Sequence, residues 1–138
     1  MKLNILCLYY DILNLYGDTG NIKVLEYHLK ELKIKYNIDY LSLDDKPIFK
    51  NYDLVLIGAG TEKNRELALS HLIKYKNDIK KEIENNKFFL ITGNALGMFG
   101  KTLNGKEALN IFNYETVTEK ERISQEIILK NKFGKDIY

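Results

Sequence analysis

Leu90-Ile91-Thr92-Gly93-Asn94-Ala95-Leu96-Gly97-Met98-Phe99-Gly100 is the stretch whose reading decides the fold of this chain. Residues 88–91 form a short apolar run that reads as a strand. Thr92, Gly93 and Asn94 are small residues that suit a sharp corner. Residues 95–99 read as a short helical segment, and Gly100 stops it. Strand, tight corner and helix together make the layout of a nucleophile elbow, which lifts a reactive side chain above a parallel sheet. Here the corner carries Gly93, which has no side chain to react. The architecture is kept while the reactive group is missing.

Working outward, residues 53–58 (Asp-Leu-Val-Leu-Ile-Gly) form the clearest buried strand, ended by Gly58-Ala59-Gly60. Residues 3–8 are another nearly continuous apolar run, followed by an aromatic and polar loop over 9–17. Asp18 or Thr19 then suits a helix cap, because a short oxygen side chain satisfies first-turn amides. Ile22, Leu25, Leu29 and Leu32 recur every three or four residues and predict one apolar helix face. A second strand is expected near 38–43, then a turn at Asp44-Asp45-Lys46-Pro47. A helical region, in one or two pieces, fills 65–85 with Leu67, Leu72, Ile79 and Ile83 inward. After Gly100, Gly105 and the segments 116–118 and 123–129 suggest extended structure with a hairpin. The order β-α-β-β-α-β predicts an α/β domain, a flavodoxin-like three-layer sandwich with a mainly parallel sheet. Ligands of such sheets sit beyond the carboxyl ends of the strands, where the loops after Leu8, Ile57 and Ile91 open.

Composition bounds the function. The 138 residues suffice for one domain, taken as 1–138, with 45% hydrophobic and 29% charged residues. A net charge of +2 demands no nucleic acid, and no apolar run reaches membrane-spanning length. Only Arg65 and Arg122 supply the guanidinium forks that anion sites prefer, so the lysines read as a solvated surface. The lone Cys7 excludes an internal disulfide and fits a reducing cytoplasm. Residues 1–4 lead directly into the first strand, so no signal peptide is expected.

Each chemical motif has a structural reading beside its functional one. The turn Gly58-Ala59-Gly60-Thr61-Glu62 allows close backbone approach, either as an oxyanion hole or as a tight strand-to-helix connection. Asn14-Leu15-Tyr16-Gly17-Asp18-Thr19-Gly20-Asn21 reads as helix capping or as an anion site on the amides of Gly20 and Asn21. Its Thr-Gly-Asn core also looks like a flavodoxin phosphate loop, although it begins about ten residues after the first strand. Cys7 falls inside a strand and reads as a small hydrophobe. His28 and His71 fall in helices with no metal-ligand spacing, so no metal or other cofactor is expected. Glu31, Glu62, Glu66 and Asp78 read as a helix surface paired with lysines.

Taken in order, these pieces resemble the CobB/CobQ-type class I glutamine amidotransferase domain. Within that family they look most like the glutaminase subunit of lipid II isoglutaminyl synthase, which works beside a Mur-ligase-like synthetase subunit in Gram-positive cell-wall synthesis. The segment Tyr10-Asp11-Ile12-Leu13-Asn14-Leu15-Tyr16-Gly17-Asp18-Thr19-Gly20-Asn21 is the most specific match. The family's glycine-rich oxyanion turn matches Ile57-Gly58-Ala59-Gly60-Thr61-Glu62, with Ala59 for a glycine and Thr61-Glu62 for Gln-Asp. Its elbow, Cys-Gly-Gly-Tyr-Gln-x-x-Gly, aligns with residues 93–100, so Gly93 stands at the nucleophile position and Asn94 beside it. The later match through Ala108-Leu109-Asn110-Ile111 and Glu115-Thr116 puts Arg122 on the arginine thought to hold substrate glutamine.

The resemblance implies substrate contacts at Gly58, Ala59, Gly60, Asn94 and Arg122, a synthetase partner and glutamine as ligand. Two departures stand against activity: the cysteine is Gly93, and the expected Asn-His motif falls beyond Tyr138. The reading is a catalytically silent amidotransferase-like protein, with the C-terminal part of the family domain missing. One alternative is the N-terminal part of an active amidotransferase complex. Another is a flavodoxin-like electron carrier binding FMN at Thr19-Gly20-Asn21.

Overall fold

The computed structural model describes residues 2–121, residue 126 and the short strands Leu129–Lys130 and Asp136–Ile137. Four strands, β1 (Lys2–Leu8), β2 (Lys35–Leu41), β3 (Leu54–Ile57) and β4 (Phe88–Ile91), pair in parallel in the order β2-β1-β3-β4. Because strand order turns about β1, the carboxyl ends of β1 and β3 flank a topological switch point. The register aligns Leu8 with Ile57 and Ile57 with Ile91, so the three apolar runs end side by side and their loops meet.

Helix α1 (Thr19–Glu31) joins β1 to β2, and α2 (Glu62–Leu72) and α3 (Lys76–Glu84) join β3 to β4. Strand side chains alternate between two cores. Leu6, Leu8, Val55 and Ile57 pack with Ala68, Leu69, Leu72 and Ile79 of α2 and α3. Ile5, Cys7 and Leu56 pack with Ile22 and Leu29 of α1. Helix, sheet and helix give the flavodoxin-like α/β fold. Each fully buried Leu or Ile contributes about 1.5–3 kcal/mol.

Several expectations change in detail. Leu32 is exposed because α1 ends at Glu31 and leaves it at the C-cap. Leu67 is exposed because the inward stripe of α2 is Arg65, Ala68, Leu69 and Leu72, one residue out of phase with it. The helical region is two helices joined by a 3-10 turn at Ile73–Tyr75. The segment after the corner is a 3-10 helix, Gly93–Phe99, closed by Gly100. Glu66 pairs with Lys106 across the surface (3.4 Å), whereas Glu31, Glu62 and Asp78 form none of the ion pairs among the described residues.

The hairpin falls earlier than 116–129. It joins β5 (Thr102–Leu103) to β6 (Lys106–Glu107) through Asn104 and Gly105, both at positive φ. Asn-Gly in that conformation is the turn that matches strand twist. Strand β7 (Glu115–Thr116) pairs in parallel with β5. Most of the expected strand at 123–129 lies outside the described residues.

Candidate functional site

Three loops meet above the strand ends, and one carboxylate ties them together. Asp18 precedes α1, where its side chain was expected to cap the helix, yet it makes no capping bond. Instead its Oδ2 accepts from the Ala59 amide (3.0 Å) and its Oδ1 from the Thr92 hydroxyl (2.5 Å). The first turn of α1 is satisfied otherwise. Asn14 Oδ1 accepts from the Thr19 amide (2.9 Å), and the carbonyls of Gly17 and Asp18 accept from the amides of Gly20 and Asn21. The anion and FMN readings of this loop needed those amides, and all three are engaged within the chain.

Two positions of the turn after β3, Gly58 and Gly60, are packed closely on either side of Ala59. A Cβ at Gly58 would lie 2.7 Å from Asp18 Cβ and closer still to the Leu13 carbonyl oxygen. A Cβ at Gly60 would collide with the Leu13 side chain. These two glycines are required by close approach rather than by φ, which is not in the left-handed region at either. Asn94 then pairs with Gly60 at two points. Its Nδ2 donates to the Gly60 carbonyl (2.7 Å) and its Oδ1 accepts from the Gly60 amide (3.2 Å).

Gly93 adopts φ 52°, a left-handed conformation costly for residues with a side chain. A Cβ there would point at Ala59, 2.9 Å from its methyl group. Residue 93 is thus the sharp bend after β4, and it faces the turn at 58–60. Gly58, Ala59, Gly60, Gly93 and Asn94 come together as the sequence suggested, and Arg122 lies outside the described residues. The oxyanion-hole expectation changes in one respect: the amides of Ala59 and Gly60 already donate to Asp18 and Asn94. A small cleft of about 20 Å³, room for little more than a water molecule, opens between α1 and the strand ends and is lined by Cys7, Asp18, Asn21, Gly58 and Thr92 among others.

The nucleophile and base candidates elsewhere are poorly placed for chemistry. Cys7 lies in the α1-side core, and burial, with Asp18 nearby, pushes its thiol up to about 11. It is a neutral hydrophobe near pH 7. His71 Nδ1 shares a hydrogen bond with the Tyr9 hydroxyl (2.8 Å), and its ring packs between Tyr9 and Tyr75. Burial, then Lys74, holds its pKa below the ordinary value. His28 sits near the end of α1 with its ring edge against Tyr27.

Asp18 and Thr92 are the site residues whose connecting role was missed. Their partners lie 41 and 74 positions apart in sequence, so no local pattern announces them. Among the described residues no cluster of three His, Cys, Asp or Glu side chains is placed to hold a metal ion. No helix among them is long and apolar enough to cross a membrane.

A parallel sheet with helices on both faces, a glycine turn after β3 and a left-handed corner after β4 defines an α/β protein of flavodoxin-like fold. Residues 4–136 match the model of the CobB/CobQ-like glutamine amidotransferase domain, and the chain belongs to that family. It is 30% identical over 126 residues to the "Lipid II isoglutaminyl synthase (glutamine-hydrolyzing) subunit GatD" of Staphylococcus aureus (strain N315), covering 88% of this chain and 52% of that protein. The protein of the same name from Streptococcus pneumoniae (strain ATCC BAA-255 / R6) is 31% identical over 123 residues, covering 86% and 47%. The chain therefore spans about half the length of the curated relatives it matches.

Proposed function

We propose that residues 1–138 form one amidotransferase-type domain that does not hydrolyse glutamine by thiol chemistry and serves a synthetase as a binding subunit. The observation that carries this reading is the corner itself. Gly93 occupies the bend where the elbow presents its nucleophile, and the facing amides of Ala59 and Gly60 are bonded within the chain.

Glutaminase chemistry needs a thiolate to attack the side-chain amide, a base to activate it, and amides to hold the oxyanion. The one thiol of these 138 residues is the buried Cys7. His71 is bonded to Tyr9, and His28 lies on α1 against Tyr27. In comparable enzymes, losing the nucleophile or base alone costs about a millionfold in rate, or roughly 8 kcal/mol of barrier.

Glutamine is the ligand this reading retains, with Asn94, the turn at 58–60 and Arg122 as its contacts. The partner is a Mur-ligase-like synthetase subunit in the cytoplasm, a role supported by relatives named as subunits of a lipid II isoglutaminyl synthase.

Ammonia release from glutamine by the purified chain tests the reading. The expected result is no turnover above buffer, both for the wild type and for Gly93→Cys, which restores a thiol without a base. Turnover by the wild type that is lost in Cys7→Ser or His71→Gln would overturn it.

A further inference from the structure

Helix α3 turns Ile79 and Glu82 inward, and Glu82 is only 7% exposed. A position in phase with Ile79 normally holds an apolar residue. None of the hydrogen bonds or ion pairs that lysines give to acids among the described residues reaches the Glu82 carboxylate. Its oxygens are nevertheless open to a cavity. Among the described residues, the side-chain atom both unpaired and sealed from water is Arg65 Nε rather than a Glu82 oxygen. Glu82 lines a cleft of about 610 Å³ between α3 and residues 46–50, a volume within the range of small-molecule sites.

The cleft carries both signs of charge. Lys46, Lys50 and Lys81 line it together with Asp78, which stands one turn before Glu82 on the same helix face. The lysines paired with acids among the described residues are Lys76, Lys87 and Lys106, so none of the cleft lysines has an acidic partner there. Ile48, which is exposed, and Tyr75 add apolar surface to the same cleft. An ionised carboxylate taken out of water needs a charged or hydrogen-bonding partner. A metal ion or polyamine would answer the acids but meet three ammonium groups of its own sign. A simple carboxylic acid would answer the lysines and leave Glu82 unpaired. A zwitterion answers both.

We propose that this cleft binds a free α-amino acid with an apolar side chain. Glu82 receives its ammonium group, the cleft lysines its carboxylate, and Ile48 with Tyr75 its side chain. The cleft is built on the segments that lead into β3 and β4, and no residue of the glycine turn or the corner lines it. It therefore stands whether or not the chain hydrolyses glutamine.

The experiment titrates the wild-type chain, followed by backbone amide NMR shifts, with three probes at constant ionic strength. They are L-leucine, N-acetyl-L-leucine, which lacks the ammonium group, and L-leucinamide, which lacks the carboxylate. The expected result is saturable shifts centred on residues 46–50 and 75–82, with L-leucine binding about tenfold or more tightly than either blocked form. Glu82→Gln keeps the shape and removes an unpaired buried charge, so its thermal midpoint should equal or exceed that of the wild type. This variant should bind L-leucine about tenfold more weakly and N-acetyl-L-leucine unchanged. A blocked form that binds the wild type as tightly as L-leucine, or an absence of shifts in these segments at millimolar L-leucine, overturns the proposal. So does a midpoint lowered by Glu82→Gln, which would show that a cleft lysine already pairs with Glu82 within the chain.

Discussion

The turn after β3 and the corner after β4 face each other at the carboxyl ends of neighbouring strands, and each is built on glycine for a different reason. At Gly58 the constraint is space: Leu13 and Asp18 lean on the backbone so closely that no Cβ fits. At Gly93 the constraint is conformation: φ is 52°, and the only neighbour a Cβ would crowd is the Ala59 methyl. A backbone carbonyl cannot move aside, whereas a strained φ can be borne at modest cost. A corner that once carried a side chain at such a bend would lose strain on becoming glycine. The turn has no comparable freedom. One half of this site is therefore fixed by packing, and the other is free to drift.

Substitutions break or sharpen that contrast. Gly58→Ala drives a methyl group into the Leu13 carbonyl and Asp18, and should cost about 3 kcal/mol or more, read as a collapse of the urea midpoint. Asp18→Ala removes the acceptor shared by Ala59 and Thr92 and should cost about 1–3 kcal/mol by the same measurement. Asp18→Asn keeps the shape and should cost less, because an amide oxygen can still accept one of the two bonds. Gly93→Ala imposes a left-handed alanine and should cost about 1–2 kcal/mol. If Gly93→Ala proved as damaging as Gly58→Ala, the two turns would be constrained alike and the contrast would fail.

The smallest effect is a pH dependence outside the two turns. His71 has a lowered pKa in the folded chain, mainly through burial, so the unfolded chain binds more protons below the ordinary value of 6.5. Stability is then fully present above about pH 6.5 and is lost as pH falls from there through the lowered folded value. His71→Gln should flatten that part of the stability profile. A rise in stability on acidification through this window would contradict the assignment.

Much of the frame was legible because runs such as residues 54–57 and 88–91 are apolar at consecutive positions, although only the central run 54–57 is covered on both faces and Phe88 and Leu90 of the edge strand β4 stay exposed. The glycine turn and the corner were legible for the same local reason. Helix phase was harder. Leu67 and Leu69 both satisfy an apolar period, and only packing against the sheet selects Leu69. Asp18 was read as a cap because a loop acid before a helix usually is one. Its true partners are on loops that sequence distance hides, and they turn an apparent oxyanion turn into a self-satisfied one.

That self-satisfaction is the central claim, and hydrogen exchange at the Ala59 amide tests it most directly. The account predicts protection of this amide in the wild type under native conditions, lost in Asp18→Ala while the strand amides of β1 and β3 stay protected. Exchange of the Ala59 amide at the rate of an open loop in the wild type, or protection unchanged by Asp18→Ala, would contradict it.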